Sequence, residues 1–144
     1  MTAFLKLKSD SQCHICINHI LGTEKFTMTW EEFQITNKAW IDATNEKMEK
    51  KLRAMAVRSR DVVPYGVDEN GLHRDMKHKI SWWTNGFWGG LNAMMYEYTK
   101  AEEYLDCAKS QEKLLDVALY EKWNELHHDV GFQWHILSGA LYRI

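Results

Sequence analysis

Apolar positions recur at helical spacing through most of this chain, and no stretch alternates at the two-residue period of a half-buried strand. From Thr29 the run Thr29-Trp30-Glu31-Glu32 has the form of a capping box. Phe33, Trp40, Ala43, Met48, Leu52, Met55 and Ala56 then carry an apolar stripe, which predicts one long amphipathic helix to about Arg60. Pro64, Gly66, Asn70 and Gly71 announce a loop extending to about Ile80. A second helix is predicted from Asn85 or Gly86, with Phe87, Leu91, Met94, Met95 and Tyr98 as its buried stripe, ending at Thr99-Lys100. A third spans about Ala101 to Glu121 through Tyr104, Leu105, Ala108, Leu115, Ala118 and Leu119. After a short loop around Lys122 to Leu126, a fourth begins near Asp129 or Val130 and reaches the chain end through Phe132, Trp134, Ile136, Leu137 and Leu141. The expected fold class is all-α, with no convincing strands.

Residues 1–28 show no sustained period and read as a leader of uncertain order, which leaves 29–144 as the helical domain. Two segments rich in aromatic and polar residues stand where a loop enters a helix: Trp82-Trp83-Thr84-Asn85-Gly86-Phe87-Trp88 and Leu126-His127-His128-Asp129-Val130-Gly131-Phe132. Antiparallel packing of successive hairpins would place both at one end of the bundle, the geometry of a shared site. The last helix runs to Tyr142-Arg143-Ile144 without a Gly, Asn or Pro to stop it, and the chain therefore reads as truncated.

Length and charge narrow the function classes. The 144 residues suffice for one core. A formal net charge of -2, from 18 basic and 20 acidic residues, supplies no electrostatic footprint for nucleic acid or an anionic membrane, and neither is expected as a partner. No stretch is apolar for long enough to span a bilayer, and the amino terminus lacks a signal-peptide pattern, so a cytoplasmic location is the default expectation. Cys13, Cys16 and Cys107 are an odd set that argues against a disulfide scaffold. A zinc site from Cys13, Cys16, His14 and His19 has no second, separated pair of ligands, so reduced thiols are the preferred reading and no metal or cofactor is expected.

The two segments invite chemistry. A carboxylate at a helix start, such as Asp129, meets unpaired backbone N–H groups and the positive end of the macrodipole, and suits accepting rather than donating a proton. The alternative is a simple cap with His127 and His128 decorating a loop. Trp82 to Trp88 mixes flat apolar faces with short hydrogen-bonding groups, as sugar rings require, because their C–H faces stack on aromatics while their hydroxyls need polar partners. Trp83 and Asn85 are the expected ligand-facing residues. Some of the tryptophans will serve the core instead, since helical spacing sends neighbours to different faces.

Trp83-Thr84-Asn85-Gly86-Phe87-Trp88, then Met95-Tyr96-Glu97-Tyr98-Thr99, then His127-His128-Asp129-Val130-Gly131-Phe132, resembles the amino-terminal part of the unsaturated glucuronyl hydrolases, glycoside hydrolase family 88. The resemblance runs from roughly residue 45 to the chain end. It implies part of an (α/α)6 toroid whose cleft binds an oligosaccharide ending in a 4,5-unsaturated uronic acid. In such enzymes an aspartate protonates the enol-ether double bond and activates water for hydration there, and the hemiketal then opens to release the unsaturated sugar as a keto acid. Residue by residue, the resemblance puts a catalytic carboxylate on Asp129, with Trp83 as a sugar platform and Asn85 and His128 as substrate-binding residues.

The chain departs from that family in one respect. The second catalytic aspartate, credited with proton donation, would lie beyond residue 144, and neither Asp75 nor Glu97 stands in a matching motif. Paired carboxylates drive their pKa values apart so that one stays protonated, and a lone Asp129 does not fill both roles. The expectation is thus an amino-terminal fragment, inactive by itself and prone to self-association through the incomplete toroid. The alternative is a non-catalytic helical sugar-binding or interaction module. A related family acting on unsaturated rhamnogalacturonan disaccharides shares fold and chemistry, and the doubled histidine before Asp129 favours family 88.

Overall fold

A computed structural model describes residues 15–16 and 27–144. It is all-α apart from two short antiparallel ladders, and it divides into two compact units, residues 1–49 and residues 50–144. That division falls inside a helix.

In the first unit, strands β1 (Ile15–Cys16) and β2 (Thr27–Met28) pair, Ile15 opposite Met28 and Cys16 opposite Thr27. The zinc alternative on Cys13, His14 and His19 lies outside the described residues. Helix α1 (Trp30–Thr36) opens on the predicted capping box: Thr29 Oγ1 accepts from the Glu32 amide at 3.2 Å, and the Thr29 amide donates to Glu32 Oε2 at 2.9 Å. The long first helix is divided at Asn37, whose side-chain amide donates to the Phe33 carbonyl and competes with the helical ladder. Helix α2 (Lys38–Arg58) follows and runs into the second unit. Its predicted stripe is not buried as a whole: Trp40 is 64% exposed and Met48 is also exposed, while Leu52, Met55 and Ala56 pack into an apolar cluster with Trp88, Met95 and Tyr104.

The predicted loop after α2 contains a hairpin, β3 (Pro64–Val67) and β4 (His73–Asp75). Its turn is built by Asp68, whose Oδ1 accepts from the Asn70 and Leu72 amides at 2.9 Å each, and by Gly71 at φ 74. Strands of four and three residues are too short to show a period. Asp75 then caps a single 3-10 turn, Met76–Lys79, accepting from the Lys77 and Val63 amides.

Helix α3 (Asn85–Thr99) is the hub of the second unit, packing against α4 (Glu102–Tyr120), α5 (Val130–Trp134) and α6 (Ser138–Leu141). The chain reverses between α3 and α4 at Lys100, in the left-handed region at φ 58. The buried face of α3 differs from the predicted stripe: Phe87 and Met94 are exposed, whereas Asn85, Gly86, Trp88, Gly89, Gly90, Asn92 and Ala93 are buried with Met95. Glycines let another backbone come close, which apolar periodicity does not register. A Cβ on Gly86 would lie 2.1 Å from the Gln133 carbonyl oxygen, and one on Gly90 would lie 2.4 Å from Ile136 Cγ2. Gly86 thus faces Gln133 and Gly90 faces Ile136, so α3 and the α5–α6 segment run in the same direction with their starts side by side. The predicted fourth helix is split into α5 and α6, with Leu137 fully buried between them.

Buried carboxamides tie the loops to the helices. Gln111 Nε2, on α4, donates to the loop carbonyls of Arg60 at 2.7 Å and Val62 at 2.8 Å, while within α3 Asn92 Nδ2 donates to the Trp88 carbonyl at 2.7 Å. Asp61 adds an exposed tie to α4 through Ser110 Oγ at 2.8 Å. Hydrogen bonds from Arg60 and then Ser110 hold its carboxyl below the usual carboxylate range.

Gly86→Ala forces its methyl against backbone that side-chain rotation does not relieve, so urea denaturation should show a loss of about 1–3 kcal/mol or more. Gly66→Ala, with open space at its Cβ, should change stability by less than about 0.5 kcal/mol. Burial pushes the Cys107 thiol up to about 12. Its folded-state value is thus above its unfolded one, so its stabilising effect is intact below pH 9 and is lost as pH rises from about 9 to 12. In a Cys13→Ser/Cys16→Ser chain at pH 8, Cys107 should resist a thiol reagent until denaturant is added, and Cys107→Ala should flatten the alkaline fall in stability.

Candidate functional site

The two segments singled out in the sequence meet at the paired starts of α3 and α5. Trp83, just before α3, makes edge-on contacts with Phe87 at 5.9 Å and with Phe132 at 5.7 Å between ring centroids. Phe87 and Phe132 stack at 6.1 Å with an interplanar angle of 20°. This is an aromatic triangle spanning both segments, and it is not a core cluster: Phe87 is 41% and Phe132 46% exposed, with Trp83 half-buried. Phe87, expected on the buried stripe, and Phe132, expected in the apolar fourth helix, instead offer ring surface to solvent. Sequence periodicity assigned both to the core because it does not distinguish a ring that lines a surface from one that fills an interior.

Asn85 lies beneath that surface, contrary to the expectation that it faces a ligand. It is 3% exposed, and its Nδ2 donates to the Lys79 carbonyl at 2.9 Å and the Ile80 carbonyl at 3.0 Å. It therefore finishes the 3-10 turn that leads into Trp82-Trp83, supplying donors to carbonyls that the turn leaves open. Ser81 is a further positioning residue that carries no sequence signal. Its carbonyl accepts from Gln133 Nε2 at 2.6 Å, and its Oγ donates to Glu125 Oε2 at 2.7 Å. One residue thereby grips both flanks of His127-His128-Asp129.

Asp129 precedes α5, but its carboxylate makes no capping hydrogen bond. It turns instead to the imidazoles: Oδ2 lies 3.4 Å from His127 Nδ1, and Oδ1 lies 3.6 Å from His128 Nε2. The Asp129 amide also donates to His127 Nδ1 at 3.3 Å. The His128 side chain is 88% exposed and that of Asp129 29%, so the cluster is open to solvent. Gly131 has nothing within 4 Å of its Cβ direction, leaving its backbone open just before Phe132.

The third segment of the resemblance, Met95 to Thr99, is not brought to this place. It occupies the far end of α3, roughly 15 Å along the helix axis from Asn85. Met95 is buried there, and Tyr96 lies under the Lys100 ammonium at 5.3 Å.

Over 58 residues the chain is 36% identical to a protein named unsaturated glucuronyl hydrolase from Bacillus sp. (strain GL1). The matched stretch is 40% of this chain and 15% of that protein, so the similarity concerns a small part of a much longer relative. No family model matches the chain, and no solved structure matches it. Among the described residues no helix is long and apolar enough to cross a membrane.

The ring contacts have a measurable consequence. A double-mutant cycle on Phe87→Ala and Phe132→Ala should return a coupling of about 0.5–1.5 kcal/mol in unfolding free energy. Strict additivity would show that the stacked pair does not hold the two segments together.

Proposed function

We propose that this chain carries one wall of a glycoside hydrolase site for oligosaccharides with a terminal 4,5-unsaturated uronic acid. The observation that carries the reading is the exposed Trp83–Phe87–Phe132 triangle, which joins two of the three segments of the resemblance, with Phe132 three residues after Asp129. The similarity to a protein named unsaturated glucuronyl hydrolase supports the same chemistry. In this proposal Trp83, extended by Phe87 and Phe132, stacks on the flat unsaturated ring. His128, with its side chain largely in solvent, donates to sugar hydroxyl or carboxylate oxygens. Asp129 acts at the double bond as the base toward the attacking water, and proton donation falls to a second acid outside this cluster. Asn85 serves this surface from below, by fixing the turn that presents Trp83.

A second reading is favoured by one feature of the cluster. Asp129 is its sole carboxylate, whereas acid and base work on one bond commonly divides between two carboxylates with separated pKa values. On that reading the surface binds a sugar without turning it over.

The test is calorimetric titration with an unsaturated uronyl disaccharide, alongside its ultraviolet absorbance. Both readings require binding that Trp83→Ala or Phe132→Ala weakens by roughly tenfold, the weight of one lost stacking contact. Unchanged affinity in both variants would sink the aromatic platform. Disappearance of the double-bond absorbance supports hydrolysis over simple binding, provided that Asp129→Asn abolishes it. Turnover that survives Asp129→Asn would remove Asp129 from the chemistry. Gly131→Ala separates ligand effects from folding. With nothing near its Cβ it should gain roughly 0.5–1 kcal/mol in stability while weakening sugar binding, because the methyl intrudes on the open backbone.

A further inference from the structure

The geometry points to a second ligand for the His127-His128-Asp129 cluster: a divalent transition-metal ion such as zinc, held by His127 Nδ1, His128 Nε2 and the Asp129 carboxylate. One ligand atom from each of the three residues lies within 4.8 Å of the other two. Donors bound at about 2.1 Å to one tetrahedral ion sit about 3.4 Å apart. His127 Nδ1 lies 3.4 Å from Asp129 Oδ2 and His128 Nε2 lies 3.6 Å from Asp129 Oδ1, close to that separation, and both imidazoles are exposed enough to turn toward an ion.

The hydrogen bonding favours this chemistry. In the tautomer that accepts from the Asp129 amide, His127 Nδ1 carries the lone pair that a metal requires. The amide contact given up is long, at 3.3 Å, and the amide can turn to water. Two imidazoles and one carboxylate form a donor set that suits zinc, nickel or copper and disfavours magnesium and calcium, which take oxygen ligands. Three protein ligands leave at least one coordination position for water, and the exposure of both histidine side chains keeps that position open. His73 and His78 do not form such a group. Their Nδ1 atoms engage the Tyr65 and Asp75 carbonyls respectively.

This inference goes beyond the sugar reading and does not depend on it, since the three donors bind an ion whether or not the aromatic triangle binds a ring. If both hold, the ion occupies the oxygens that Asp129 would use on the sugar, and metal and disaccharide exclude one another.

The experiment is isothermal titration of zinc chloride into the untagged chain carrying Cys13→Ser and Cys16→Ser, which removes the leader thiols as competing ligands. Saturation at one ion per chain is expected, with no comparable binding of magnesium chloride. His127→Ala and His128→Ala should each weaken zinc by at least about tenfold, and His73→Ala/His78→Ala should leave it unchanged. Far-ultraviolet circular dichroism on each variant checks that the helices persist. In the chain with both histidines intact, paramagnetic nickel should broaden the His127 and His128 ring resonances first. Equal zinc affinity in His127→Ala/His128→Ala, binding no stronger than that of magnesium, or broadening centred on His73 and His78 would each overturn the site.

Discussion

The close approach of α3 to the α5–α6 segment is the constraint on which the rest of the second unit depends. Gly86, Gly89 and Gly90 leave no room for side chains, and the space goes to the Gln133 backbone, the Leu137 side chain and Ile136. Glycine in a helix interior costs roughly 0.5–1 kcal/mol relative to alanine, so three of them in five residues weaken the helix as an isolated object. The contact they permit offsets that loss by burying Leu137 completely against Ala93 and Ala108 in the core. It also sets the two helix starts side by side. The meeting of Trp83 with Phe132 is a consequence of glycine packing several residues away.

Around that contact, polar groups do work that apolar burial alone would not do. The irregular segments before α3 expose carbonyls in the interior, and Asn85, Gln111 and Gln133 answer them with side-chain amides. An interior carbonyl without a donor costs on the order of 1–3 kcal/mol. The amide side chains therefore decide where the loops can lie. The segment bearing Trp82 and Trp83 is placed by Asn85 from below and by Gln133 from the side. The aromatic surface is in this sense an outcome of carboxamide geometry.

Features set by neighbouring residues were legible in the sequence. The Thr29–Glu32 capping box is present as read, the boundaries of α3 and α4 lie within a residue or two of expectation, and the shared end of the two segments follows from hairpin packing. The buried face of α3 was not legible, because glycine and asparagine carry no hydrophobic signal although both are interior here. Asn85 shows the limit most clearly. Its short polar side chain beside tryptophans suggested a ligand contact, and the partner it has is a pair of backbone carbonyls five and six residues back. The splitting of the outer helices was also hidden. At Asn37 the cause is a side chain competing with the ladder, and near Leu137 it is the demand of the core for one residue. Of the candidate site, the three consecutive residues His127, His128 and Asp129 could be named from order alone, but the orientation of the Asp129 carboxylate toward the imidazoles, away from the helix start, belongs to the fold.

Phe132 and Gln133 are adjacent in a five-residue helix and point to different worlds, one to solvent and one to the interior. Gln133 holds the Ser81 carbonyl, Ser81 leads within two residues to Trp83, and Trp83 touches Phe132. The links close on themselves, so the rings have little freedom to surrender when something settles on them. A loose aromatic surface would have to be ordered at each encounter, at an entropic cost of about 0.5–1.5 kcal/mol per side chain. On the proposed reading, the fold supplies part of that ordering in advance through these ring contacts and the Gln133–Ser81 hydrogen bond.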